Sequence, residues 1–187
     1  EKKGLPAEIA LLPIVESAYD PFAYSHSRAA GLWQFIPSTA RLYGLRIDWW
    51  YDGRRDVRAS TEAAIEYLTY LNGLFDGDWL LSLAAYNSGQ GNVLSSIRKS
   101  GLSEDAISFW SLKLLRETQT YVPRLLAISE IIANPHRYEI DLPKMPNLPN
   151  WSVVSIDAQL DLGKAAELAG ITQQSLYLLN PGYNQWA

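Results

Sequence analysis

The sequence predicts a mainly α-helical protein, with one large helical domain and a small second unit at the carboxyl end. Apolar residues recur at helical spacing in several segments, as in Ile65, Leu68 and Leu71. Glycine and proline residues separate these segments, as expected for helices joined by loops. The composition then changes near Trp151, after a proline-rich stretch. These three observations predict the fold class and its division.

Two helices and two loops are predicted before residue 56. Pro6 suits the first position of a helix, and Pro13 either kinks that helix or starts a second helical piece. The predicted elements are a helix from Pro6 to about Ser17, a loop over 20–33, a short helix from Pro37 to near Gly44, and an irregular aromatic loop over 48–55.

Four more helices are predicted between residues 57 and 135. Asp78 is placed to cap one of them, and Gly101 and Pro135 are placed to end two others. The predicted helices are one carrying Ile65 to Phe75, one over Trp79 to Tyr86, one from about Asn92 to Lys99, and a last long one with the stripe Tyr121, Leu125, Ile128 and Ile132.

A linker is predicted between the two units because four prolines fall within fifteen residues, from Pro135 to Pro149. The predicted division is a first domain over 1–140, a linker over 141–150 and a second unit over 151–187. In the second unit the predicted elements are a strand over Val153 to Ile156 and two short helices, from Leu162 to Leu168 and from Ser175 to Leu179.

Charge and composition exclude several function classes. The net charge is −4 without a dense cluster of basic residues, so nucleic-acid binding has no electrostatic support. No apolar run approaches the ~20 residues that span a bilayer, so membrane association is expected only through a segment absent from this sequence. The sequence contains no cysteine, which excludes disulfides and thiolate sites, and only two histidines, neither in a metal motif. We therefore expect no metal and no cofactor.

The aromatic residues favour a binding cleft. The chain has 7 Trp and 11 Tyr but only 4 Phe. Tyr and Trp combine an apolar ring with a polar edge, which suits stacking on sugar rings as well as core packing. The preference for the two polar aromatics indicates an aromatic-lined cleft, although packing in the core would also use them.

Glu16 is the candidate catalytic acid. It follows Ile9 and Leu12 at the i, i+3, i+7 spacing of one apolar helix face. Burial on such a face should raise its pKa, because desolvation disfavours the ion, and a raised pKa suits a general acid near neutral pH. The alternative is an outward-turned glutamate without a catalytic role. Asp20, the nearest second carboxylate, precedes Pro21 and is better explained as a turn residue.

Four short blocks occur together in a fixed order. They are Glu16-Ser17, Gly31-Leu32-Trp33-Gln34-Phe35, Ala85-Tyr86-Asn87-Ser88-Gly89 and Glu117-Thr118-Gln119-Thr120-Tyr121-Val122-Pro123. In this order they resemble the lytic transglycosylase domain of the goose-type lysozyme superfamily, over most of residues 5–135. The resemblance implies a helical, lysozyme-like domain with a substrate cleft.

The resemblance also implies the site residues. Glu16 matches the single catalytic acid/base of the family, and Tyr121 matches a tyrosine whose hydroxyl approaches that carboxylate. The positions that match substrate-binding residues are Ser25, Gln34, Tyr86, Asn87 and Tyr121, so Tyr121 has both roles. Ser27 lies close enough to Ser25 to leave that match open. Tyr86 could instead be a core residue, and Asn87 a helix cap before Gly89.

The implied activity is cleavage of peptidoglycan at the β-1,4 bond between N-acetylmuramic acid and N-acetylglucosamine. It uses no water and leaves 1,6-anhydromuramoyl ends, and it needs one acid/base, whereas an ordinary glycosidase needs two carboxylates. The alternatives are a hydrolytic muramidase of lysozyme type and a non-catalytic peptidoglycan-binding or scaffolding protein. The implied location is the bacterial envelope, in the periplasm, with an outer-membrane anchor possible in a longer protein.

The unit over 151–187 resembles part of a LysM peptidoglycan-binding module. The order strand, helix, helix and the ending Leu179-Asn180-Pro181 match that module, but its second strand is missing. The unit is therefore expected either to bind glycan or to pack on the first domain as a structural appendage.

Overall fold

Eight α-helices lie in the part of the chain that this computed structural model describes, which is residues 4–146, 148 and 151–185. They are α1 (Leu12–Ser17), α2 (Pro37–Leu42), α3 (Val57–Leu74), α4 (Trp79–Ser88), α5 (Gln90–Ser100), α6 (Arg116–Ala133), α7 (Leu162–Ala169) and α8 (Gln173–Leu179). Short 3₁₀-helices cover Ala7–Leu11, Glu104–Ala106 and Pro135–Tyr138. Within the same residues no strand forms, only isolated bridges, so the mainly helical prediction is confirmed.

Helix α4 is the centre of the first domain. It packs against α3, α5 and α6. Five consecutive residues of it, 81–85, are buried, so this helix is enclosed by its neighbours rather than amphipathic. Two of the five are Ala84 and Ala85, whose small side chains let the surrounding helices approach closely. Asp78 caps its first turn, as predicted, by accepting hydrogen bonds from the backbone of Leu80 and Leu81.

The amino-terminal helix consists of two pieces, which decides between the alternatives for Pro13. A 3₁₀-helix over Ala7–Leu11 leads into α1, with Pro13 in its first turn, where a missing N–H costs no hydrogen bond. Leu12 is fully buried, and α1 packs against α6. Because α1 ends after one and a half turns, with Ala18 in the left-handed conformation, Glu16 lies at its end, opposite α6.

The predicted loop over 20–33 folds into tight turns, which a buried arginine stabilises by hydrogen bonds to backbone carbonyls. Arg54 pairs with Asp52 at 2.6 Å and donates to the carbonyls of Arg28 (2.6 Å) and Phe35 (3.2 Å). Gly31 lies against this support with φ +80°, and a Cβ there would meet the Arg54 carbonyl oxygen at 1.8 Å. Only glycine fits this position, because the conformation and the close approach both exclude a side chain.

The predicted strand over Val153 to Ile156 is wrong. These residues have no regular structure, and Val153, Val154 and Ile156 are 60%, 77% and 60% exposed. A strand needs the backbone of a neighbour to pair with, and no described segment offers one. The first strand of the expected LysM-like arrangement is therefore not formed. Residues 141–146 are exposed and irregular, as a linker would be, whereas Pro149 lies outside the described residues.

The two carboxyl-terminal helices form as predicted, and α8 contacts the first domain through its Tyr177 ring, which stacks on the Phe22 ring. Helices α7 and α8 contact each other and begin at the capping residues Asp161 and Thr172. The segment after α8 pairs with the aromatic loop over 48–55: the Asp52 N–H donates to the Gly182 carbonyl at 2.8 Å. The Tyr183 ring meets that loop edge-on, 5.4 Å from the Tyr51 ring.

Candidate active site

A cleft of about 790 Å³ opens between the end of α1, the turns before α2, the end of α4 and the first half of α6. The six site residues predicted from the sequence all line it. They are Glu16, Ser25, Gln34, Tyr86, Asn87 and Tyr121. Chain segments far apart in sequence therefore meet at one place, which the order of the four blocks had indicated.

Glu16 keeps its proton to a large extent near neutral pH in this cleft. Burial raises its pKa from 4.5 to about 7 because the ion is poorly solvated there. The Tyr121 hydroxyl opposes this by donating a hydrogen bond to Glu16 Oε1, and the charge of Glu117 adds to the increase. The raised pKa expected from the apolar helix face is thus present.

Tyr121 is fixed in the hydroxyl form that donates to Glu16. Its side chain is 5% exposed on the inner face of α6. Burial and the neighbouring Glu16 carboxylate raise its pKa well above 10, so it keeps its proton throughout the pH range of the carboxyl group. The contact that the resemblance implied is formed, and Tyr121 is the nearest polar partner of the candidate acid.

Tyr86 lines the cleft with its ring but uses its hydroxyl inside the protein. The hydroxyl donates to the Trp33 carbonyl at 2.7 Å. Its ring lies 5.3 Å from the Tyr67 ring and 6.4 Å from the Phe35 ring. The core and cleft interpretations of this residue therefore both apply, since it holds the Trp33–Gln34 turn in place while its ring forms part of the cleft wall.

Gln34 lies in the cleft with a strained backbone. Its φ is +48°, in a region that residues other than glycine rarely adopt. Its side-chain nitrogen donates to the carbonyls of Gly31 (2.9 Å) and Ala23 (3.3 Å). The amide nitrogen thus closes the turn, and the side-chain oxygen Oε1 is the group through which Gln34 would meet a ligand.

Ser25 and Ser27 both line the cleft and share a hydrogen bond of 2.9 Å between their hydroxyls. The Ser25 hydroxyl also accepts from the Ala29 N–H at 3.0 Å, which fixes its position in the turn. The two serines therefore act as a pair, and the geometry leaves the choice between them open.

Asn87 connects α4 to α6. Its Oδ1 accepts from the hydroxyl of the buried Thr118 at 2.8 Å, and its Nδ2 donates to Glu117 Oε1 at 3.5 Å. The alternative of a helix cap is wrong, because α4 continues through Ser88 and ends at Gly89. The side-chain contacts of Asn87 orient it along the cleft wall.

Neither Asp20 nor His26 lines the cleft. Asp20 accepts a hydrogen bond from the Phe22 N–H at 2.8 Å, as a turn residue does. His26 is exposed on the loop. In the described part of the chain no three acidic or histidine side chains come together as a metal site requires.

The sequence interpretation missed a charged face of α6. Arg116, Glu117, Thr120 and Arg124 all line the cleft, but only Tyr121 of this helix was predicted. Glu117 lies four residues before Tyr121, so the helical spacing could have placed both on one face. This second carboxylate in the cleft was not anticipated.

Comparison with known proteins decides the family. The sequence pattern of the transglycosylase SLT domain matches residues 1–109. The chain belongs to this family. Membrane-bound lytic murein transglycosylase D of Escherichia coli (strain K12) is 47% identical over 97% of this SLT chain and 40% of its own length. A protein named for resistance to tributyltin chloride, from Alteromonas sp. (strain M-1), is 38% identical over 87% of the chain and 76% of its own length.

The SLT assignment agrees with the fold. An inactive mutant of lytic transglycosylase Slt from Pseudomonas aeruginosa has a similar structure, with a TM-score of 0.56, 24% identity, and coverage of 75% of this chain and 23% of its own. The SLT chain spans about 40% of the length of membrane-bound lytic murein transglycosylase D. In the described residues, no helix combines the length and apolar character that crossing a bilayer requires.

Proposed function

We propose that this chain is a peptidoglycan lytic transglycosylase. The observation that carries the proposal is the cleft carboxyl group of Glu16, whose pKa is raised to about 7 and whose oxygen accepts from Tyr121. A group with such a pKa is available as an acid and, after losing its proton, as a base near neutral pH. The family supports the proposal, because it includes membrane-bound lytic murein transglycosylase D of Escherichia coli, which is 47% identical to this chain.

In the proposed reaction Glu16 acts twice. As an acid it protonates the bridging oxygen of the β-1,4 bond, and the C1–O bond of N-acetylmuramic acid breaks while the 2-acetamido group of that sugar assists at C1. As a carboxylate it then accepts the proton of the C6 hydroxyl, whose oxygen bonds to C1 while the bond between C1 and the acetamido oxygen breaks, which closes the 1,6-anhydro ring. Glu16 thus regains in the second step the proton that it gave up in the first, and water does not take part.

The other cleft residues would orient the sugar. Ser25, the Oε1 atom of Gln34 and Asn87 offer hydrogen-bonding groups for acetamido and hydroxyl substituents. Tyr121 would lower the energy of the Glu16 carboxylate in the second step, because its hydrogen bond favours the ion. No step of this mechanism requires a metal or a cofactor.

Mass spectrometry of the products tests the proposal. Purified peptidoglycan digested by the protein should release fragments with 1,6-anhydromuramoyl ends, which lack the mass of one water. Glu16→Gln should abolish this release, whereas Glu8→Gln, an exposed glutamate outside the cleft, should not change it. Release by Glu16→Gln at the parent rate would disprove the assignment of the acid, and a parent that binds but never cleaves would indicate a non-catalytic glycan-binding protein.

The second candidate is a hydrolytic muramidase, and one observation favours it. Glu117 places a second carboxylate in the cleft, and two carboxylates are what an inverting glycosidase uses to activate water. Reducing ends and an added water in the products, lost on Glu117→Gln, would support this candidate.

We infer that the protein acts in the bacterial envelope, in the periplasm, where its polymeric substrate is accessible. The bacterial murein transglycosylases among its relatives support this location. Recovery of the native protein in the periplasmic or membrane fraction of cells, rather than with cytoplasmic enzymes, would support the inference.

We propose that the carboxyl-terminal unit over 151–187 braces the catalytic domain instead of binding glycan as a LysM module. Its contacts with the loop over 48–55 support this, and a Cβ at Gly182 would lie 2.7 Å from the Tyr51 ring. Tyr183→Ala should lower the melting temperature without weakening glycan binding. Lost glycan binding with unchanged melting would favour the LysM interpretation.

A further inference from the structure

Two arginines of α6 line the cleft on one stripe of the helix. Arg116, Thr120 and Arg124 follow each other at intervals of four residues, so they share a face, and all three contribute to the cleft wall. At 1.5 Å per residue the two arginine positions are about 12 Å apart along the helix axis. They are therefore placed to meet two separate groups of an extended ligand rather than one group together.

Both guanidinium groups are unpaired within residues 4–146, 148 and 151–185. Five ion pairs join basic and acidic side chains there, and none includes Arg116 or Arg124. In a chain with a net charge of −4, two unpaired cations on one wall are a local feature and do not reflect a basic protein. Their charge is available to a ligand in the cleft.

The two acidic residues of the cleft leave this charge uncompensated. Glu16 is half neutral at pH 7, since its pKa is about 7. Glu117 lies next to Arg116 in sequence, but its Oε1 accepts from Asn87 across the cleft. Neither carboxylate lies within 4.0 Å of either guanidinium in the described structure.

We infer that Arg116 and Arg124 bind carboxylate groups of the glycan strand and make the cleft selective for acidic over neutral sugars. The inference rests on the proposed function, which brings N-acetylmuramic acid into the cleft. That sugar carries a lactyl carboxylate when it is unsubstituted and a peptide with its own carboxylates when it is substituted. Guanidinium groups suit either source because their planar donors match a carboxylate with two parallel hydrogen bonds.

The test compares three glycan substrates with four proteins. The substrates are peptide-substituted strands, strands freed of peptide, and peptide-free strands whose lactyl carboxylates are methyl-esterified. The proteins are the parent, Arg116→Gln, Arg124→Gln and the control Arg58→Gln, an exposed arginine of α3 that does not line the cleft. Initial rates give kcat and KM, and melting temperatures confirm that each variant is folded.

We expect each cleft variant to lose about tenfold in kcat/KM on an acidic strand, mainly through KM, as for loss of a charge-assisted hydrogen bond. The esterified strands and Arg58→Gln should change less than twofold. A loss limited to substituted strands assigns the contact to peptide carboxylates, and a loss limited to unsubstituted strands assigns it to the lactyl group. A fifth protein, Arg116→Lys, should retain more activity than Arg116→Gln because it keeps the charge.

Equal losses on acidic and esterified strands, or no loss on any strand, would overturn the inference. Failure of the proposed function is a different result, in which the parent itself does not cleave. In that case the affinities of the same proteins for the same strands, measured by calorimetry, still decide whether the arginines distinguish acidic from neutral glycan. High salt should weaken this distinction, because exposed charges are screened.

Discussion

Replacing Glu16 by Gln should stabilise the fold, and the gain should grow as the pH rises. Burial raises the pKa of Glu16 from 4.5 to about 7, so between these values the folded protein holds a proton that the unfolded chain releases. The stability of the parent therefore falls as the pH rises through this window. At 1.36 kcal/mol per pH unit, the loss approaches about 3 kcal/mol at pH 8. This is an upper limit, since the cleft is open to solvent.

Gln is isosteric and still accepts from Tyr121 through its side-chain oxygen, so the variant removes the titration with little other change. Urea denaturation of the parent, Glu16→Gln and the control Glu8→Gln at pH 4 and pH 8 measures the effect. The gain for Glu16→Gln should be close to zero at pH 4 and reach up to about 3 kcal/mol at pH 8. A gain that is the same at both pH values would refute the reasoning, as would the same pH dependence in Glu8→Gln.

Three further predictions concern the site and its support. Tyr121→Phe removes the hydrogen bond that lowers the pKa of Glu16, so the alkaline limb of the pH profile of kcat/KM should move to higher pH. Glu117→Gln removes a charge that raises this pKa, so the same limb should move to lower pH. Gly31→Ala should cost more than about 2 kcal/mol in the free energy of unfolding, because its Cβ would meet a carbonyl oxygen at 1.8 Å. Gly101→Ala is the matched control for the last variant, with φ +65° but open space around it, and it should cost only about 1 kcal/mol.

The sequence predicted the helices better than their ends. The stripes of α3 and α6 are long, and their periodicity marks them clearly. The expected helix over Trp79 to Tyr86 is too short, because α4 continues through Asn87 and Ser88 and ends before Gly89. The Ser88 hydroxyl bonds to the Ala84 carbonyl, and Asn87 reaches α6. The contact of Asn87 with α6 depends on the tertiary fold, which local sequence does not report.

The expected strand at Val153 to Ile156 shows that a local propensity alone does not produce a structure. A β-branched run has the intrinsic preference for a strand, but a strand exists only when another backbone completes its hydrogen bonds. The local pattern was therefore right about propensity and wrong about structure. The segment after α8 instead pairs with Asp52 in the first domain, at a sequence distance that no local pattern could indicate.

Some residues of the candidate site could be predicted from the sequence, and others could not. The apolar stripe marked Glu16 as an unusual carboxylate, but the family resemblance was needed to favour a catalytic role for it, and the same resemblance supplied the other five residues. Arg116 and Arg124 were missed because charged residues on a helix normally face solvent. They face a cleft here only because α1 and α4 pack against the same helix. Neither the periodicity nor the charge pattern of α6 contains this information.

A single residue that serves as acid and then as base needs a pKa close to the working pH, and the environment of Glu16 provides it by opposing effects. Burial and Glu117 favour the protonated form that the first step of the proposed reaction would consume, and Tyr121 favours the carboxylate that its second step would require. Without burial the group would be almost fully ionised at pH 7, and without Tyr121 it would be a weaker acid. Because Tyr121 keeps its own proton, its hydrogen bond persists through both steps. The buried carboxyl and the buried hydroxyl therefore act as one unit, which is why Tyr121→Phe should change the pH profile as well as the rate.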